Sequence, residues 1–216
     1  MSFRDWFAGV PTPVLNAERI TLRAPSAADY DEWRTLREAS RAFLTPWEPS
    51  WASDELSRSS YAGRLARYRQ DARDRLGHAF FMFENESGRL CGGITLGQIR
   101  RGVAQSATFG YWMGEPFAGR GLMAQAVRSV SEYAFEAERL HRIEAACLPN
   151  NARSIGLLEK CGFTLEGHLR KYLMIAGVWQ DHRLYSLLAE DRAASSRLRS
   201  QALPSPDEKV VPIAHA

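Results

Sequence analysis

The stretch FAGRGLMAQAVRSV, Phe117 to Val130, sets two glycines around Arg120 where a good helix-forming run begins. The first N–H groups of a helix have no internal partner, and the helix dipole makes that end attractive to anions. Glycine lets a ligand approach the backbone closely, so the loop is suited to holding a phosphate. A tight strand-to-helix turn without a ligand is the plain alternative. Arginine clusters again in RLARYRQDARDR, where Arg64, Arg67, Arg69, Arg73 and Arg75 share a segment with Asp71 and Asp74. That pattern reads as a solvated helix face, with a docking face for an acidic or RNA-containing partner as the other reading.

The chain has 216 residues, 45% of them hydrophobic, enough for one domain with a sizeable core. Its net charge of +3 suits an anionic ligand and is too weak to argue for nucleic acid. The opening MSFRDWFAGVPTPV carries an acid and two prolines and has no apolar run of signal-peptide length, and nothing later approaches a membrane span. A cytoplasmic protein without membrane association is therefore expected. Cys91, Cys147 and Cys161 are far apart and form no C-x-x-C pair, which suggests neither a disulfide framework nor a metal site.

The elements that must position the glycine loop follow from periodicity. ERITLRA alternates like a half-buried strand, and APSAAD supplies Pro25 and a Ser26 cap for a helix carrying Tyr30, Trp33 and Leu36. LTPWEPSW, with two prolines and two tryptophans, predicts a loop without regular structure. A second helix is expected from about Asp54 to Arg75, then a hairpin of HAFFMFE and LCGGITLGQI around NESG. Ser106 to Met113 reads as a third strand, followed by the glycine loop and a helix to about Leu140. RIEAACL is a strand, and Asn150 to Cys161 a helix closed by Gly162. Two final strands, LEGHLRKYLMI and HRLYSLLA, are joined through AGVWQD. The order predicts a single α+β domain over residues 1–190, with a mixed, mainly antiparallel sheet flanked by helices. Residues 191–216 are expected to form a polar, mobile tail.

Gly119 to Ala124 also matches G-x-G-x-x-A, the dinucleotide fingerprint. Against that reading, EPFA separates strand from glycines, and the loop lies in mid-chain behind a hairpin. A nucleotide P-loop is weaker still, because no Gly-Lys-Ser or Gly-Lys-Thr follows.

Three segments in order, GYWMGEPFAGRGLMAQAV, LPNNARSIGLLEKCGFTLEG and KYLMIAGVWQDHRLYSL, resemble the GNAT acetyltransferases, and among them the RimJ/RimL branch that acetylates N-terminal amines of ribosomal proteins. The resemblance runs from ERITLR to about Leu188. It implies the GNAT fold and acetyl-coenzyme A as co-substrate, with no metal. The main chain of about Arg120, Gly121, Leu122, Met123 and Ala124 would meet the coenzyme pyrophosphate, with the Arg120 charge nearby. Ala118 stands where the family has Gln or Arg, and Met123 where its last small residue usually lies. Tyr111, Trp112 and Met113 would pair their main chain with the pantetheine arm, and the Met113 N–H would polarise the acetyl carbonyl. Packing is the other reading for the Tyr111 and Trp112 side chains.

Acetyl transfer needs a neutral amine, a polarised thioester carbonyl and an acid for the leaving thiolate. Many GNAT enzymes place a tyrosine acid four residues before the Gly-Phe, but here that residue is Leu158. In NNARS the hydroxyl belongs to Ser154, which the RimJ/RimL pattern also makes a serine. Ser154 is therefore the expected thiolate donor, with Asn151 a polar contact to the coenzyme and Asn150 the helix cap. Tyr172, in KYLMIAGVW, is expected near the reacting centre by the same resemblance, as a second acid or a substrate contact. An ordinary sheet tyrosine is the alternative. In the WQDH turn Asp181 could instead order a strand connection. Trp47, Glu48 and Trp51 resemble the RimJ-type acceptor loop, Glu48 attracting an ammonium group; hydrophobic anchoring of the loop is the other reading.

No motif fixes a base, and Glu115 and Glu166 are candidates by sequence proximity alone. An α-amine, pKa roughly 7.7 to 8.0, is on the order of a tenth neutral at pH 7, whereas a lysine amine near roughly 10.4 is neutral below about one part in a thousand. A site without an evident base suits an N-terminal amine. The expected partner is thus a protein N-terminus, or alternatively a small amine, with the enzyme a monomer or homodimer. A non-catalytic acyl-coenzyme A binding module is the rival of another class.

Overall fold

The alternation in ITLR and the apolar run HAFFMFE both become strands of one eight-stranded sheet. The computed structural model describes residues 12–191, so the expected tail, apart from Asp191, lies outside the described residues. The strands are β1 (Leu15–Asn16), β2 (Ile20–Arg23), β3 (His78–Glu84), β4 (Leu90–Arg100), β5 (Ser106–Met113), β6 (Arg142–Cys147), β7 (Thr164–Ile175) and β8 (Val178–Leu188). They stand side by side as β1-β2-β3-β4-β5-β6-β8-β7, antiparallel throughout except between β5 and β6. The helices are α1 (Tyr30–Ala39), α2 (Arg41–Leu44), α3 (Arg58–Arg73), α4 (Leu122–Glu136) and α5 (Ala152–Lys160). This is the mixed, mainly antiparallel α+β arrangement that the sequence predicts.

Strand alternation decides which helix each side chain meets. On β3, Phe81 lies 6.5 Å from Tyr61 of α3, and Phe80 lies 6.1 Å from Tyr133 of α4. Helices α1 and α3 therefore cover one face, with Trp33 and Tyr61 4.8 Å apart, and α4 covers the other, with α5 beside it. Burial on both faces explains why HAFFMFE is almost continuously apolar rather than alternating.

Three expectations need correction. The segment around LTPWEPSW is not wholly irregular: α2 ends at Leu44 and Thr45–Trp47 makes a 3-10 turn, with Pro46 in the first turn, where a missing N–H costs nothing. Helix α3 begins at Arg58, not Asp54, because Ser57 caps it by accepting from the Ser60 N–H at 3.1 Å. AGVWQD is not a connection, since β8 already starts at Val178. The turn is the pair Ala176 and Gly177, both with positive φ (47° and 79°), the geometry that matches strand twist in a two-residue hairpin.

A buried polar cluster ties α4 to β3. Glu138 accepts from the Tyr133 hydroxyl at 2.8 Å and from His78 Nε2 at 3.0 Å, and Arg101 pairs with it. His78 is the first cause that holds the Glu138 carboxyl down to about 2. A carboxylate with a depressed folded pKa stabilises the fold above its unfolded pKa, and that stabilisation is lost as pH falls through the folded value. Thermal melts of the wild type should therefore fall between about pH 4.5 and about pH 2. Glu138→Gln should melt lower at pH 7 and lose part of that acid dependence; an unchanged acid slope would assign it to other carboxylates.

An opening arises between β5 and β6. Their parallel pairing runs only from Ser106 opposite Arg142 to Phe109 opposite Ala145. Beyond it, Gly110 to Met113 pair with β4 alone.

Candidate active site

Past Phe109 the two strands splay, and one edge of β5 is left without a partner. Gly114 donates its N–H to the Cys91 carbonyl of β4 at 2.9 Å. N–H groups alternate direction along a strand, so those of Met113 and Tyr111 point the other way, into the gap. A ligand with amide groups can complete that edge as a further strand would.

Side chains of β5 divide between the two faces. Tyr111 reaches α5, where its hydroxyl shares a 2.6 Å hydrogen bond with Ser154 Oγ. Burial pushes the Tyr111 phenol well above its ordinary pKa, so it stays protonated and can donate. Trp112 turns to the opposite side, edge-on to Phe81 at 6.2 Å. Gly93 of β4 makes room for it: a Cβ there would stand 2.6 Å from Trp112 Nε1.

Two cavities meet at this strand. One, of about 430 Å³, is lined by the glycine loop, the first turn of α4, β5 and α5. It takes in Gly121, Leu122, Met123, Ala124, Met113, Asn151 and Ser154. The other, of about 530 Å³, opens on the α1/α3 side against Trp51 and the arginines of α3. Glu48, Tyr111 and Trp112 line both.

The glycine loop has the backbone that the sequence predicts, with Gly119 and Gly121 in the left-handed region at φ 75° and 78°. Gly121 directly precedes α4 and aims the first N–H groups of that helix at the cavity. The arginine between them behaves otherwise than expected. Arg120 pairs with Glu84, its carbonyl accepts from Arg19 at 3.0 Å, and it does not line the cavity. The cations that do line it are Arg153 and Lys160. These two stand seven residues apart on α5, two turns along one helical face, which was the available sequence signal.

Asn151, not Asn150, caps α5: its Oδ1 accepts from the Ser154 N–H at 3.1 Å. This bond fixes the backbone that presents the Ser154 hydroxyl to Tyr111. The tryptophans of LTPWEPSW do not form the expected flat pair. Trp47 faces the smaller cavity and Trp51 the larger, with Glu48 between them.

Nor is Glu48 a free carboxylate. Arg37 donates to both its oxygens at 2.8 Å, and Trp51 Nε1 donates to Oε2 at 2.8 Å. The Arg37 guanidinium lies 4.5 Å from the Trp51 ring and 5.2 Å from the Trp112 ring. Sequence reasoning passed over Arg37. The signal was its position four residues after Trp33 on the apolar stripe of α1, where a buried arginine demands a partner. A carboxylate offers about four lone-pair sites, so roughly one remains for a further donor. The Glu48 carbonyl in turn accepts from the Ala176 N–H at 3.1 Å, which docks the β7–β8 hairpin tip on this loop.

Tyr172 is not at the junction. It stands 43% exposed on β7, edge-on to His182, and lines neither cavity. Tyr172→Phe should leave kcat within about twofold at saturating substrates, checked by initial rates. Asp181 holds an irregularity in β7 by accepting from the Lys171 N–H at 2.9 Å and from His168 at 3.0 Å. Glu115 and Glu166 line neither cavity, and the Arg142 partner of Glu166 holds its carboxyl down to about 2, which removes both as bases near the junction. Among the described residues no group of three or more His, Cys, Asp or Glu side chains could hold a metal ion. No described helix is long and apolar enough to cross a membrane.

A sheet splayed beside a glycine loop and a helix N-terminus fits an acyl-coenzyme A-dependent acyltransferase, and comparison with known proteins gives the family. Residues 19–164 match the acetyltransferase (GNAT) domain, and the chain belongs to this family of acetyl-coenzyme A-dependent N-acetyltransferases. It is 35% identical over 178 residues to the probable N-acetyltransferase YjcK of Bacillus subtilis, covering 82% of this chain and 98% of that one. It is 31% identical over 186 residues to the ribosomal protein uS5-alanine N-acetyltransferase of Escherichia coli, covering 85% and 95%. The structure of Mycobacterium smegmatis RimJ in complex with CoA-disulfide superposes with a TM-score of 0.81 at 30% identity, over 88% of this chain and 95% of that one.

Proposed function

We propose that this enzyme moves acetyl from acetyl-coenzyme A to the N-terminal α-amine of a protein, a ribosomal protein in particular, by direct attack in a ternary complex. The observation that carries the reading is the meeting of two cavities at Glu48, Tyr111 and Trp112, one built for a phosphate-bearing donor and one open to an acceptor. Similarity to the uS5-alanine enzyme supports the choice of acceptor. A ribosomal acceptor also places the work in the cytoplasm.

The residues fit the donor. N–H groups of the glycine loop and the first turn of α4 receive the pyrophosphate, and Arg153 and Lys160 supply the positive charge that Arg120 does not. The unpaired edge of β5 receives the pantetheine amides. Bound acetyl-coenzyme A supplies an activated acetyl thioester at the junction. There the Met113 N–H is the donor available to a carbonyl oxygen. Ser154 donates its proton to sulfur and is reprotonated from water at the open junction, while Tyr111 donates a hydrogen bond to the serine oxygen across their 2.6 Å contact and keeps its own proton. Glu48 uses its remaining lone pair to orient the incoming ammonium, and Arg37 and Trp51 keep the carboxylate from turning. Deprotonation is left to water at the open junction, which suffices for an α-amine and not for a lysine.

Thiol release from acetyl-coenzyme A tests this with short peptides bearing a free α-amine against the same peptides α-blocked and carrying lysine. Release with the first set alone is expected. Equal release with both would overturn the α-amine reading, and release with small amines only would replace the acceptor.

A further inference from the structure

The larger cavity carries more positive charge and more hydrogen-bond donors than its own walls can use. Arg37 and Glu48 neutralise one another. Arg64 donates to Glu55 at 2.5 Å, and that pair is neutral as well. Both arginines keep an Nε–H buried without a hydrogen-bond partner. One cation is left over: Arg67, exposed on α3 one turn after Arg64, lines the cavity with no ion pair among the described residues. An acceptor that filled this space would have Glu48, where the two cavities meet, for its ammonium, and Arg64 and Arg67 of α3 on the same cavity wall. A second ammonium there, as in a polyamine, would face like charge, whereas a carboxylate would face an arginine fork able to hold it.

We infer that the acceptor carries an acidic side chain close behind its reactive α-amine, at the second or third residue, and that Arg67 receives it, with Arg64 beside it. This rests on the N-terminal acceptor proposed above and names the chemistry of its sequence. Arg67 selects between acceptors and takes no part in the transfer itself. It acts on the peptide's charge, so its effect appears in kcat/KM and weakens with salt.

The test uses peptides of equal length beginning with alanine, with glutamate, glutamine or lysine at positions two and three. They are compared at low ionic strength with the wild type, Arg67→Gln and Arg67→Glu. In the wild type, kcat/KM should fall about fivefold from glutamate to glutamine and again to lysine, the range of a partly exposed ion pair. Arg67→Gln should compress the series, Arg67→Glu should reverse it, and 0.5 M salt, at roughly a few Å of screening length, should flatten it in the wild type. Arg67 is exposed, so thermal melting should not move with either substitution. Equal rates for all three peptides in the wild type, or an unchanged ranking in Arg67→Glu, would overturn the inference while leaving the α-amine reading intact. No acetylation of any peptide, with thiol still released to small amines, would remove that reading and this inference together.

Discussion

Ser154→Ala is expected to lower kcat by about a hundredfold while moving the KM for acetyl-coenzyme A by less than about threefold, the split expected when a proton donor is removed and not a binding group. The reason lies in the pairing. Ser154 lines the smaller cavity, and its oxygen is 2.6 Å from the Tyr111 hydroxyl, which burial keeps protonated. Tyr111→Phe should then cost nearly as much, because without that hydrogen bond nothing stabilises the charge that develops on the serine oxygen as its proton leaves. The double variant should be little worse than either single one, since the two hydroxyls act as a unit. Tyrosine ionisation should produce no alkaline fall in kcat below about pH 10, since its pKa is raised from the ordinary value. Equal loss of turnover and coenzyme affinity in Ser154→Ala would refute the donor role, and additive losses would refute the pairing of the two hydroxyls.

The second large effect concerns Arg37. Its side chain is only 7% exposed and clamps Glu48, whose carboxylate is 21% exposed and also holds Trp51. Arg37→Met removes the counterion and leaves a mostly buried carboxylate, at a cost of about 3 kcal/mol in stability. It also frees the loop that separates the two cavities, so the KM for a peptide acceptor should rise about tenfold or more. The double variant Arg37→Met with Glu48→Met separates these consequences. Replacing both ions with apolar groups should restore most of the melting temperature, while acceptor KM stays high because nothing is left to orient the ammonium. Recovery of both stability and acceptor KM would show that the pair is scaffolding only.

What was legible in the sequence was what local pattern determines. The alternation of ITLR, the apolar run of HAFFMFE, the glycine past α5 and the glycines before α4 specified element type, and their order specified the sheet. The splayed strands could be anticipated only through family resemblance, because nothing local marks where β5 stops pairing with β6. Side-chain partners were the poorest part, since they are set by residues distant in sequence. Arg120 stands within the glycine loop, yet Glu84, thirty-six positions earlier, takes its charge. Glu48 looked like a free carboxylate until α1 brought Arg37 against it. Tyr172 sat in a suggestive motif, but the period of β7 and the hairpin that carries it turn the side chain outward. Tyr111 shows the reverse: its packing position is also what places its hydroxyl on Ser154.

The most direct measurement is the affinity of a bisubstrate conjugate, coenzyme A joined through an acetyl bridge to the α-amine of a short peptide. If the two cavities are the donor and acceptor halves of one transfer site, the conjugate should bind at least about a hundredfold more tightly than coenzyme A, because the second half then binds intramolecularly. The same peptide linked through a lysine side chain should gain much less. An α-linked conjugate that binds no better than coenzyme A alone would contradict the placement of the acceptor at Glu48, Tyr111 and Trp112.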